Sequence, residues 1–347
     1  QAIDAGAFPV DRNLNAVVSA NGGTGDYLAI QGNEPSDRTS QIYSDLEVAL
    51  FHGDKGKTIY TAEGDKDFPQ ANSIGAISAE WVTFAVAYPH NLDYHYKVML
   101  YDRKTGSLRT LAGGPEQPNP ERSNVRRAPV IAADKVYWLA TVDDKPATTT
   151  LESWDLSRGS AAGSVQAPHA IDLLPYGSGV ALISTVDSQE PGEGAGATLG
   201  NGAGAPLAKA QLDALAGGSN FGFDGARKLW WLRYDAGPVA YSTLVGGTEI
   251  SHEPAIGESA DHTVSPSFGT LNVNPVIYPF VVAEVNGTSG LLDLRTGTPV
   301  ALPAGYVVQA VVGDNVVFGT GHHVAGAASG ATGLSIVALS ALPPVSC

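Results

Sequence analysis

Apolar and polar residues alternate along 74–111 in a way that sets the reading of the whole chain. Two alternating runs, 74–77 and 81–87, flank a short polar turn. A longer polar loop, 88–95, leads to a third run at 96–101, and the tight turn Asp102-Arg-Lys-Thr-Gly106 leads to a fourth at 107–111. Period-two alternation bounded by turn residues marks half-buried strands, so this stretch is expected to form one four-stranded antiparallel sheet.

The pattern recurs at a spacing of about 40–50 residues, the signature of a repeat array. Units are expected at 14–63, 74–112, 128–166, 170–246, 265–303 and 306–345. Gly56, Gly106, Gly159, Gly237 and Gly297 stand in the last turn of a unit, where a left-handed backbone would exclude most residues with a Cβ. Repeated four-stranded units with hardly any helix between them predict an all-β chain: one β-propeller domain of six antiparallel blades. Two β-sandwiches are the structural alternative. A ring has to close, and residues 7–10, within a leftover segment 1–13, are expected to pair with the last unit. That unit's own fourth strand is weakened by Pro343 and Pro344. The insertion 187–227 carries a Gly/Ala-rich tract at 192–202 with linker composition. A short helix is expected after it, with Pro206 at its first position, Leu207, Gln211, Leu212 and Leu215 on one face, and Gly217 as its stop.

Two turns, Tyr101-Asp-Arg-Lys-Thr-Gly-Ser-Leu-Arg-Thr-Leu111 and Leu292-Asp-Leu-Arg-Thr-Gly-Thr-Pro-Val300, resemble blades of the six-bladed TolB-like propellers of exported bacterial proteins. The resemblance implies the fold and an extracytoplasmic setting, and carries over no site. The Trp-Asp blade ending of another propeller class occurs once, at Trp154-Asp155, and does not repeat.

Charge narrows the partners. Lys and Arg number 20 against 35 Asp and Glu, a formal charge of −15. Nucleic acid is excluded as the expected partner, because its binding rests on cationic contacts to phosphate; docking on anionic lipid is disfavoured for the same reason. No apolar run reaches the roughly 18 residues of a membrane-spanning helix, so no membrane insertion is expected. The sequence opens on Gln1, as in a processed mature form or an expression product. With few charges and abundant Gly, Ala, Thr and Ser, it reads as an exported bacterial protein. Cys347 is the only cysteine, so no internal disulfide staples the fold.

In a propeller, the turns joining first to second and third to fourth strands share one face. Here these are short, while the long segments 32–45, 64–73, 88–95, 113–128, 142–150, 187–227, 246–265 and 320–333 map to the other. Loops on a rigid scaffold carry function, so the elaborated face is the expected binding face. Of eight histidines only His52 belongs to the short-turn face; His90, His95, His169, His252, His262, His322 and His323 map to the long-loop face. Imidazoles with Asp93, Glu253 or Asp261 could hold a divalent metal ion, the one cofactor these residues could bind. The most concentrated candidate is Ile250-Ser-His-Glu-Pro-Ala-Ile-Gly-Glu-Ser-Ala-Asp-His262. There His252, Glu253, Asp261 and His262 could serve acid–base chemistry on a sugar. Arg122, Arg126 and Arg127 form the basic knot of an acidic chain and suit a carboxylate on a ligand. Tyr94, beside His95, offers a ring for stacking on a sugar or packing at an interface.

The reading favours a non-enzymatic exported scaffold that binds a protein or a cell-envelope glycan through its long-loop face. Two alternatives come from other classes. One is a carbohydrate-active enzyme, a metal-assisted polysaccharide lyase or glycoside hydrolase centred on His252, Glu253, Asp261 and His262. The other is a structural subunit of a surface assembly, joined through Cys347 or the N-terminal segment.

Overall fold

The structure is a computed structural model of the 347-residue chain. It describes the backbone of residues 7–18, 25–33, 44–62, 68–69, 75–90, 93–113, 124–125, 128–141, 148–176, 178–185, 197–201, 218–223, 228–233, 239–244, 250–252, 264–266, 276–277, 280–285, 288–293, 298–301, 306–312, 315–320 and 331–342. Side chains are described within 25–30, 47–62, 75–86, 96–113, 128–141, 148–170, 173–175 and 178–184, at 306, and within 315–319, 333–338 and 340–342.

β1 (Ala7–Val18) opens the chain, and its second half pairs antiparallel with β2 (Asp26–Asn33) from Asn13↔Gly32 to Val18↔Leu28. β3 (Ser44–His52) and β4 (Lys55–Thr61) continue that meander. In the next sheet β5 (Phe68–Pro69) and β6 (Ala76–Ile77) both pair with β7 (Trp81–His90), which is followed by β8 (Asp93–Asp102) and β9 (Leu108–Ala112). The same plan returns in the third: β10 (Asn124–Val125) and β11 (Val130–Ala132) pair with β12 (Lys135–Thr141), then come β13 (Thr150–Asp155) and β14 (Ser160–Gln166).

β15 (Ala170–Tyr176), β16 (Gly179–Thr185) and β17 (Ala197–Asn201) make a three-stranded sheet. A separate four-stranded one holds β18 (Gly218–Phe223), β19 (Lys228–Arg233), β20 (Val239–Leu244) and β21 (Ile250–His252). β22 (Val264–Pro266) and β23 (Val276–Ile277) share β24 (Phe280–Val285), followed by β25 (Thr288–Asp293) and β26 (Thr298–Ala301). Last come β27 (Tyr306–Val312), β28 (Asn315–Thr320) and β29 (Ala331–Ala338). β29 pairs with the first half of β1 through Ala7↔Ser335, Phe8↔Leu334 and Pro9↔Gly333. One seven-stranded sheet therefore runs β27-β28-β29-β1-β2-β3-β4.

The described sheets equal the six expected units in number but not in membership. The stretch 170–246, expected as one unit, supplies strands to two sheets, and the turn after Arg233 joins second to third strands rather than third to fourth. β17 and β18 lie inside the expected insertion 187–227; the expected helix after Pro206 lies outside the described residues. β5, β10 and β22 come from segments expected to be links, so the first strand of three sheets is built in two pieces.

Between the sheets lies the core. On β7 and β8 one face, Val82, Phe84, Val86, Met99 and Tyr101, packs against Leu28, Ile30, Val48 and Ile59 of the first sheet. The opposite face, Ala85, Val98 and Leu100, packs against Val136, Trp138 and Ala140 of the third. The third sheet in turn meets the fourth through Leu139, Leu151, Leu173, Val180 and Leu182. Each fully buried side chain of this size stabilises the fold by about 1.5–3 kcal/mol. Burial on both faces explains why Thr83, fully buried, still needs its hydroxyl satisfied: it donates to the Met99 carbonyl oxygen at 2.9 Å.

One glycine expectation is corrected. In the β3–β4 turn the left-handed residue is Gly53 (φ 59°), not Gly56. Gly56 lies in β4 opposite Phe51, and a Cβ there would come within 2.6 Å of the Phe51 ring. Gly106 and Gly159 do adopt positive φ, whereas Gly237 and Gly297 lie outside the described residues.

Candidate functional site

The two ends of the sheets differ in what their polar groups do. At the end with the tight turns, Asp26 is almost wholly buried (2 %) at the start of β2. Its cross-strand partner is His52, and the register that joins them also sets His52 Nδ1 2.6 Å from Asp26 Oδ1. Arg103, from the β8–β9 turn of the neighbouring sheet, places its guanidinium 2.6 Å from Asp26 Oδ2 and donates to the Ser78 carbonyl oxygen at 2.8 Å. Both carboxylate oxygens are thereby matched with cationic or donor groups, as a buried charge requires. Beside it Tyr27 is stacked on Phe51 and donates its hydroxyl to the Gly53 carbonyl oxygen; burial, then the Asp54 charge, pushes its ionisation well above the usual range.

The turns that follow are tied by the same means. Asp102 Oδ1 accepts the backbone N–H groups of Lys104 and Thr105, and Asp155 Oδ1 accepts those of Arg158 and the Ser157 hydroxyl. The bonds from Thr105, above all, hold the Asp102 carboxyl below its ordinary value; for Asp155 the bond from Ser157 contributes most. Arg109 lies over both Trp81 of its own sheet and Trp154 of the next, 5.6 and 5.8 Å from the ring centroids. These groups bind neighbouring sheets to one another.

At the opposite end, the described pairing of β7 with β8 runs past that of either strand with its other neighbour. The stretch 88–95, expected as a loop, continues the two strands through the rungs Tyr88↔His95, Pro89↔Tyr94 and His90↔Asp93. In the described pairing β5 stops at the Phe68↔Ala87 rung and β9 at Val98↔Ala112. Gly113 still lies against Tyr96, since a Cβ there would collide with the Tyr96 carbonyl oxygen. Beyond that point the described pairing consists of three rungs between β7 and β8, a ribbon about 10 Å long at the usual rise per residue. Strand periodicity places positions 88, 90, 93 and 95 on one face, the one that Val82, Phe84 and Val86 turn towards the first sheet. Positions 89 and 94 take the other.

The chain matches no protein-family model and no curated protein. Among solved structures it resembles the β-propeller domain of the Trilobed protease from Pyrococcus furiosus, with a TM-score of 0.56 at 10 % identity over 90 % of each chain. It also resembles a puromycin hydrolase, with a TM-score of 0.54 at 12 % identity over 89 % of this chain and 50 % of that one. An acylaminoacyl peptidase of Pyrococcus horikoshii gives 0.51 at 11 % identity, over 88 % and 49 %. The fold is propeller-like. The chain spans about half the length of the hydrolase and peptidase chains it matches. TolB from Acinetobacter baumannii matches at a TM-score of 0.42, too loose a likeness to carry the TolB resemblance further.

Of the remaining candidates, His252 and His169 fall within the described residues. His252 ends β21 opposite Tyr241; Glu253, Asp261 and His262 lie outside the described residues. Arg122, Arg126, Arg127, His322 and His323 also lie outside them. His169 has a turn to make: Ala170 N–H donates to the Ala167 carbonyl oxygen around Pro168 and His169, whose φ of 60° is the left-handed geometry such a turn demands. Among the residues whose side chains are described, no group of three or more His, Cys, Asp and Glu could hold a metal ion. Sequence reasoning missed the Asp26–His52–Arg103 cluster. Its only signal was that Asp26 and His52 both border tight turns of the first unit.

Proposed function

We propose that this chain is a non-enzymatic, exported bacterial propeller that binds a protein or a cell-envelope glycan at the end from which the β7–β8 ribbon projects. The ribbon carries the reading: among the described residues, three rungs of β7 with β8 alone, bearing Tyr88, His90, Asp93, Tyr94 and His95. Its aromatic and imidazole residue types suit sugars and protein surfaces. At the opposite end the described Asp26, His52 and Arg103 are engaged with one another. Export is supported by the sparse charge and the Gly- and Ala-rich composition.

The test is to replace residues 89–94 by Asn-Gly, which closes the hairpin at the Tyr88↔His95 rung. The full chain and the variant are then titrated against bacterial envelope glycans and envelope proteins. The variant is expected to keep its melting temperature and lose more than about tenfold in affinity, as a lost hot spot would. A variant that binds as tightly as the parent overturns the reading.

The ring itself is read as seven units rather than six. β1 serves as the outer strand of the last unit and the first strand of the first, while 170–252 contributes two units. A crystal structure with six radial sheets would refute that count.

A further inference from the structure

We propose that the ribbon binds one divalent transition-metal ion through His90, Asp93 and His95. Strand register brings the three together. His90 and Asp93 are direct cross-strand partners, and His95 follows Asp93 by two positions on the same strand, so the three share one face. Cβ atoms of direct partners stand about 4.5–5.5 Å apart and diagonal neighbours about 7–8 Å, within reach of one ion for side chains as long as imidazole. Two imidazoles and a carboxylate are the donor set that Zn2+ and its neighbours prefer over Mg2+ or Ca2+. Three protein donors leave a further coordination position for water or for an oxygen of the bound ligand. A formal charge of −15 favours capture of a cation.

Among the described residues, the other imidazole–carboxylate pair is already engaged. The Asp26–His52 pair has one imidazole, and Arg103 already occupies the second oxygen of its carboxylate. The proposal deepens the binding reading and depends on it for the ligand, not for the ion.

The experiment uses the full chain with Cys347→Ser, to remove the one thiol. Co2+ is titrated by visible absorption and Zn2+ by calorimetry, with melting curves as a control for folding. One equivalent should bind. His90→Ala and His95→Ala should each weaken binding by at least about tenfold, and so should the gentler His90→Gln and His95→Gln. His322→Ala with His323→Ala should leave it unchanged. No Co2+ binding, or equal affinity in the His90→Ala/His95→Ala double variant, overturns the metal site. Ligand capture retained by that metal-free protein would leave the binding reading standing.

Discussion

Asp26 is a carboxylate with almost no access to water, held by the Arg103 guanidinium and the His52 imidazole, and of the two only Arg103 is itself well covered. Removing one partner of a buried ion pair costs about 3–5 kcal/mol, because the other is left uncompensated. Asp26→Ala is expected at the lower end, about 3 kcal/mol by urea unfolding, since His52 is 75 % exposed and can turn to solvent. A loss under about 1 kcal/mol would mean the cluster behaves as an ordinary surface pair. Asp102 and Asp155 give a different signature. Their carboxyls are held below the ordinary range, so between folded and unfolded values the unfolded chain binds more protons. Their contribution is complete above the ordinary carboxylate value, about 3.9, and disappears as pH falls through the lower folded one. Asp102→Asn with Asp155→Asn should therefore flatten the acid limb of the stability profile; a limb of unchanged slope would contradict this. The Asp102 turn was legible, because its donors lie within three residues. The Asp26–His52 pair was not, since their register exists only once two strands have paired.

Among elements, β1 does the most with the least packing information. Its first half completes the sheet of β29 and its second half begins that of β2. Deleting the residues before Asn13 removes the rungs at Ala7, Phe8 and Pro9 and bares the edge of β29, where Leu334 and Ser335 are fully buried. The melting temperature should fall by several degrees, and an unchanged melt would show the pairing to be dispensable. β7 and β8 were readable from alternation, since each carries enough alternate apolar residues to reveal its period. β5, β10 and β22 were not: two or three residues cannot display a period, and Pro69 and Pro266 argue against a strand until a neighbour's carbonyl is seen to need none of their missing N–H.

For the whole molecule, the all-β class was legible because one unit repeats, and repetition survives poor boundaries. Membership of the sheets was harder. A strand such as β17, Ala197–Asn201, lies within the Gly/Ala-rich tract 192–202 and carries a single large apolar residue, Leu199, so composition alone reads it as linker. The ribbon was hidden for the opposite reason: Pro89 and Asp93 are loop formers by type, and the pairing of β7 with β8 keeps both in strand. There is also a consequence in time. Ala7 meets Ser335 only after roughly 330 further residues have been made, about 15–65 s of synthesis at ordinary ribosomal rates. Through that interval half of β1 waits on the nascent chain as an open template, and the quality of the finished ring depends on what keeps other strands from reaching it first.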